Sequence, residues 1–290
     1  LDALITSKKG QFKLSDINIS AIDFIISSIN KKNYFQELEG RSGRIDFGSD
    51  SSYRTIRIPF YSKSKYLYDA RMVRDELFSM IDEDEELLIQ EISNYSLVDE
   101  SISPKQYIVR LADNFELKQN LNVLQGELKF ETTETPYAKS SLTTQQLQLQ
   151  GILASDSSWA WGMGLETVDD TELIYTHNAE STATFKVFNA GNVEVHPFES
   201  MLNITIKKVA GSTTRFKLKN LTTDSKITIN KPVANTDVWR YEGANVTRNK
   251  LAALKDTAKD FIFLKPGWNT FQIYDCTSAS IEFDFKFLYR

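Results

Sequence analysis

From Ile281 to Tyr289 the apolar residues Ile281, Phe283, Phe285, Phe287 and Tyr289 occupy every second position. In an extended strand successive side chains point to opposite faces, so this set faces one way and Glu282, Asp284 and Lys286 face the other. That pattern fits an antiparallel sheet with one dry and one wet face. Such a strand needs neighbours in its own sheet and a second layer over its aromatic side. The preceding residues supply both. Strand patterns bounded by turn residues recur at 146–153, 172–175, 183–188, 192–197, 202–207, 215–221, 226–230, 261–264 and 270–274. Regular short strands of this kind predict a β-sandwich or jelly roll. Thr247 to Lys259 fits either a helix, by the spacing of Leu251, Leu254 and Ala258, or a long ordered loop.

The first half reads differently. Ile5 to Leu14 predicts a hairpin closed near Lys8-Lys9-Gly10, and 87–92, 106–111, 115–118 and 123–130 have strand character, with Asp113-Asn114 as a turn. In Arg54 to Phe60, Ile56, Ile58 and Phe60 share one strand face, and Pro59, which has no N–H to donate, predicts a strand that lies at a sheet edge or ends there. The period then changes. Leu67, Ala70, Val73, Leu77, Met80 and Ile81 form one helical stripe, which predicts a helix over about 67–81. Before the strand, Gly40 to Thr55 reads as a turn in which Gly40, Gly43 and Gly48 suit positive φ. Its Arg41 and Arg44, with Arg54 and Arg57, offer forked donors for carboxylates on a neighbouring element or chain. The polar stretch Glu131 to Thr144, with Pro136 and no apolar periodicity, marks a domain boundary. The expected fold class is mainly β with one N-terminal helix: an α+β domain over 1–139 and a β-sandwich over 140–290.

Composition excludes several classes. Hydrophobic residues at 41% and charged residues at 25% describe a globular protein, and no apolar run approaches a membrane span. No signal-peptide pattern opens the sequence. Cys276 stands alone, so neither a disulfide framework nor a cysteine-rich zinc site is expected. Residues 1–139 hold 18 basic and 23 acidic side chains and 140–290 hold 16 of each, so the whole net charge of −5 is N-terminal. Its densest part is Asp82 to Glu86. An acidic balance opposes nucleic-acid binding.

No catalytic pattern emerges. His177 and His196 are the only histidines and stand outside any metal-ligand spacing, and the sequence has no nucleophile elbow, phosphate loop or dinucleotide fingerprint. Neither catalytic, cofactor nor metal residues are expected. Trp159 and Trp161 flank Ala160, and Trp239 and Trp268 fall in loop-like stretches of the sandwich. Such rings serve a core edge or a protein interface, or stack on sugars.

Taken in order, the glycine-rich turn with SYRTIRIPF and the amphipathic helix, TPYAK, FNAGNVEVHPFE, LKPGWNTFQI and IEFDFKFLYR resemble the distal tail protein family of siphophages that infect Gram-positive bacteria. The resemblance spans both halves and is weakest over 1–30 and 231–260. It implies a structural hub and not an enzyme: a homo-hexameric ring built by the N-terminal domains, with galectin-like or carbohydrate-module-like sandwiches outside. Implied partners are the tail tube protein, a tail-associated lysin or fibre protein, and a receptor-binding protein at the periphery. The implied place is the virion tail tip, after synthesis in the host cytoplasm, with DNA passing through the channel without sequence-specific binding. An acidic N-terminal half suits a lumen that does not retain DNA. In a ring, Arg41, Arg44, Arg54, Arg57 and Pro59 become expected subunit-interface residues. The alternative is an adaptor that holds cell-wall polysaccharide through Trp159 and Trp161.

Overall fold

The computed structural model describes residues 1–66, 68–81, 85–94, 100–151, 162–165 and 173–290. It separates into two compact units, Leu1–Ala138 with Arg290, and Lys139–Tyr289.

In the first unit, β1 (Asp2–Ser7) and β2 (Gly10–Lys13) form the expected hairpin, with Ser7 opposite Gly10. A 3-10 turn at Leu14–Ile17 leads to β3 (Ser20–Ala21) and β4 (Ile25–Ile26). There follow β5 (Lys31–Glu37), β6 (Arg44–Ser51), β7 (Thr55–Lys63), helix α1 (Asp69–Met80) and β8 (Leu87–Asn94). The unit's remaining strands are β9 (Glu100–Ile102), β10 (Lys105–Leu111), β11 (Lys118–Asn120) and β12 (Val123–Thr132). The main sheet has the order β2-β1-β8-β10-β12-β7-β3. Its dry face carries Ile5, Ile89, Val109, Leu128, Phe130, Ile56, Ile58 and Phe60, all essentially without solvent exposure. Helix α1 buries Ala70, Val73 and Leu77, the predicted stripe, and leaves Arg71, Asp75 and Ser79 in solvent. Leu67 and Asp82 to Asp84 of the predicted helix and acidic run lie outside the described residues. The segment at 115–118 is not a strand: only Lys118 belongs to β11.

The predicted edge position of Arg54 to Phe60 is overturned. Strand β7 pairs with β12 along Thr55 to Lys63, and its other flank is covered by β3 at Tyr61 and Phe60 and by β4 at Arg57 and Ile56. Pro59 explains why that cover comes in two pieces. Its carbonyl accepts from Ile22 N at 2.8 Å, so its donorless nitrogen faces the same flank, and the covering chain breaks between β3 and β4. The proline interrupts a neighbour and does not end the sheet.

In the second unit, β13 (Ala138–Ser140) crosses the division and helix α2 (Thr144–Gln150) follows. A strand was expected from Gln146 to Leu153, of which Ile152 and Leu153 lie outside the described residues. Instead Thr143 accepts from Gln146 N at 3.5 Å and Gln146 Oε1 accepts from Thr143 N at 2.8 Å, a capping box that starts a helix. The strands then run β14 (Thr176–Glu180), β15 (Phe185–Asn189), β16 (Leu202–Ala210), β17 (Phe216–Asn220) and β18 (Lys226–Ile229). They continue as β19 (Trp239–Glu242), β20 (Asn245–Arg248), β21 (Leu251–Ala252), β22 (Gly267–Tyr274), β23 (Ser278–Phe285) and β24 (Leu288–Tyr289).

Two antiparallel sheets, β14-β23-β16-β19-β20-β21 and β15-β22-β17-β18, face each other across an aromatic core. Phe271 of one meets Phe283 of the other at 4.9 Å between ring centroids. Ile281, Phe283, Phe285 and Phe287 are fully buried and Tyr289 nearly so, as their alternation required. Elsewhere the sequence pattern misled. The segments 192–197 and 261–264 form no strands and share one isolated β-bridge, Val195 with Leu264. Thr247 to Lys259 is neither helix nor plain loop but the end of β20, β21 and a 3-10 turn. Trp239 and Trp268 sit in strands, and Trp239 is fully buried.

Candidate interaction surfaces

The segment expected to be a turn, Gly40 to Thr55, is mostly one arm of a β-hairpin. Strands β5 and β6 pair from Lys31 opposite Ser51 to Glu37 opposite Arg44, and the chain turns over Leu38 to Gly43. The arm continues outward from the β4–β7 pairing through Ser27 N to Thr55 O at 2.9 Å and Asn30 N to Tyr53 O at 2.8 Å. Beyond that stem it joins no other sheet among the described residues, and every residue of the two strands except Ile45 is exposed. The sequence hid it because β6, RIDFGSDS, has the glycine and polar content of a loop.

The arm carries apolar rings that its own chain does not cover: Tyr34, Phe35 and Phe47 are 38%, 41% and 62% exposed, beside Leu38 at the turn. The register shifts between Asn33 and Phe35, where Phe47 and Gly48 form a bulge. Gly48 sits at φ 93°, a conformation only glycine adopts cheaply, and its N–H donates to Asp46 Oδ1 at 2.8 Å. Gly40 and Gly43 also have positive φ, as expected. Tyr34 Oη donates to Asp50 Oδ2 at 2.9 Å, an acceptor that raises the phenol's pKa because it stabilises the protonated form. The Arg44 guanidinium lies 3.7 Å from the Phe35 ring centre. Arg41 and Arg44, with Glu37 and Leu38, line a hollow of about 460 Å³ at the tip.

The other expected interface residues are placed apart from this tip. Arg54 turns inward, 7% exposed, against Tyr107. Burial raises the Tyr107 pKa, and the neighbouring guanidinium offsets part of that rise. Arg57 stays half exposed on the wet face of the main sheet, 3.4 Å from Glu127. With Pro59, Phe115, Glu127 and Lys129 it lines an open groove of about 660 Å³, where Lys129 pairs with Asp113 at 2.8 Å. Thus Arg41 and Arg44 share the arm, Arg57 and Pro59 share the groove, and Arg54 belongs to the interior. Trp159 and Trp161 lie outside the described residues.

Among the described residues neither histidine meets a catalytic partner. His177 bonds Ile174 O at 2.9 Å and lies against Phe185, and burial lowers its pKa. His196 stacks on Phe263 at 5.4 Å. Among the described residues no group of His, Cys, Asp and Glu side chains is arranged to hold a metal ion.

Residues 12–132 match the model of the phage tail protein RIFT-related domain. No curated protein matches the chain by sequence. The fold is similar to the crystal structure of the phage SPP1 Dit (gp 19.1) protein, described as a paradigm of the hub adsorption apparatus in phages that infect Gram-positive bacteria. The TM-score is 0.65 at 12% identity, covering 98% of this chain and 99% of the other. A looser correspondence, with TM-score 0.41 and 9% identity over 99% and 97% of the two chains, is found to the phage P2 baseplate in its activated conformation with calcium. Residues 12–132 thus resemble a phage tail protein RIFT-related domain by sequence, and the chain as a whole is similar in fold to the SPP1 Dit protein.

Proposed function

We propose that the chain is the structural hub of a phage tail tip, a homo-hexameric ring that joins the tail tube to a tail-associated lysin or fibre protein around a channel for DNA. The phage tail domain match over residues 12–132 and the likeness to the SPP1 Dit fold support the setting. One observation carries the assembly: the β5–β6 arm exposes aromatic rings and unpaired strand edges. A lone two-stranded hairpin is marginal in water, and open edges invite another chain. A second copy that receives the arm relieves both costs, and repeated around an axis the contact closes a ring. The interface then centres on the arm, with Arg41 and Arg44 at its tip, and not on a bare β7 edge. Arg57 and Pro59 belong to it only if the arm reaches the groove they line.

The test is the mass and symmetry of the purified chain by light scattering and electron microscopy, beside a variant in which residues 31–51 are replaced by a short glycine-serine turn. Six-fold rings from the parent and folded monomers from the variant are expected. A parent that stays monomeric at high concentration, or a variant that still makes rings, overturns the proposal.

A further inference from the structure

The wet face of the β15-β22-β17-β18 sheet has a chemistry that the hub reading does not use. Opposed residues in an antiparallel pair share a face. The register therefore places Phe188 beside Trp268, Lys186 beside Thr270, Lys219 beside Gln272 and Lys226, and Lys217 beside Tyr274 and Thr228. The alternate residues Val187, Phe271, Ile273, Phe216, Leu218 and Ile227 are buried on the inner side. What remains outside is a row of rings and hydrogen-bonding groups along β22, flanked by lysines on the strands to either side.

The rings are fixed. Phe188 and Trp268 contact each other at 4.8 Å, and Tyr274 lies under Lys217 Nζ at 5.2 Å, with its hydroxyl on Gln272 Oε1 at 2.8 Å. All three are half-buried, set into the sheet surface and not protruding from it. Among the described residues, Lys186, Lys217 and Lys226 make no direct ion pair, and Lys219 is paired with Asp224, whose charge Lys217 and Lys226 also feel. Asp275 is paired with Arg215, and Asp260 accepts from Thr228 and keeps its charge, so four lysines stand against two carboxylates, Asp224 and Asp260. The surface is thus positive on a chain whose net charge is −5.

We propose that this face binds an acidic polysaccharide, with sugar rings laid on Trp268 and Phe188 and acidic groups held by Lys186, Lys217, Lys219 and Lys226. Flat rings set into a sheet offer a platform for the apolar face of a sugar, and Thr270 and Gln272 supply hydroxyl and amide groups between Trp268 and Tyr274. Charge complementarity selects the acidic polymer. Ammonium groups act as point charges that suit acidic groups on freely turning links. A nucleic acid is the other polyanion with flat rings, but the face carries no arginine, the side chain best suited to its recognition. The site lies within the second unit and stands whether or not the chain closes a ring.

The full chain is titrated with dextran sulfate, uncharged dextran and oligo(dT) at low and high salt. Dextran sulfate is expected to bind at least about tenfold more tightly than dextran, and to weaken as salt screens the lysines. Lys186→Glu with Lys226→Glu, both at exposed positions, lowers that affinity roughly tenfold. Trp268→Ala lowers it severalfold without a change in charge. Trp268→Phe, which keeps a ring in place, removes the change in tryptophan fluorescence on binding. Dextran sulfate binding that resists both Lys186→Glu with Lys226→Glu and Trp268→Ala, fluorescence that responds equally in Trp268→Phe, or oligo(dT) held more tightly than dextran sulfate each overturn the assignment.

Discussion

Strands β6 and β7 are neighbours in the chain and opposites in their surroundings. In β7, Ile56, Ile58 and Phe60 are essentially without solvent exposure; in β6, Phe47 is 62% exposed and Ile45 is only partly covered. Both are extended, both are paired, and both carry apolar residues. The difference is what lies over the side chains: β7 contributes to a packed layer in its own unit, and β6 has only β5. Burial of a large ring stabilises by about 1.5–3 kcal/mol, so β7 is held by its own domain while the arm has that free energy still to gain from another surface.

Five substitutions sharpen or break this contrast. The largest expected effect is at the buried strand: Phe60→Ala opens a cavity and costs about 3–5 kcal/mol in urea unfolding. Next comes the arginine that looked like an interface residue. Arg54→Glu places a carboxylate in a buried site and lowers stability by ~3 kcal/mol, whereas Arg57→Glu, on the wet face, changes unfolding by less than about 1 kcal/mol. If the two reversals cost the same, Arg54 is not interior in solution. Gly48→Ala strains the bulge by about 1 kcal/mol, and the loss is expected in hydrogen exchange of the arm rather than in global unfolding. Smallest for folding is Phe47→Ala, within about 0.5 kcal/mol of the parent by unfolding. The same variant is expected to weaken self-association measured by light scattering. A large loss of monomer stability there would mean that the arm folds back on its own chain.

The sequence made the strongly alternating and strongly helical segments readable, because one face of each is core. Ile281 to Tyr289, Ile56 to Phe60 and the Ala70-Val73-Leu77 stripe all behave as their spacing requires. It was least readable where a local signal competed with the apolar pattern. At Thr143 to Gln150 the capping box outweighed the strand character expected from Gln146 onward, and the helix leaves Leu149 85% exposed. At β5 and β6 there was no core face to produce a pattern. Arg41 and Arg44 could be named from their donor chemistry, but Phe35 and Phe47 could not, since an exposed aromatic and a buried one look alike in sequence. The basic face of the second unit was unreadable for another reason. Lys186, Lys217, Lys219 and Lys226 come from three strands and meet only through the register of β15, β22, β17 and β18.

Pro59 has a consequence for how the first unit breathes. A ladder that lacks one donor is held on either side of the gap by short runs, Ser20-Ala21 with the Ile22 N–H on one side and Ile25-Ile26 with Ser27 on the other. Short rungs beside a missing one are where water first enters a sheet. The amides of Ile22 to Ile26 are therefore the natural starting point for opening, while the β7–β12 seam behind them stays closed. Because the stem of the arm continues from β4, opening there would loosen the arm's root without unfolding the domain that carries it.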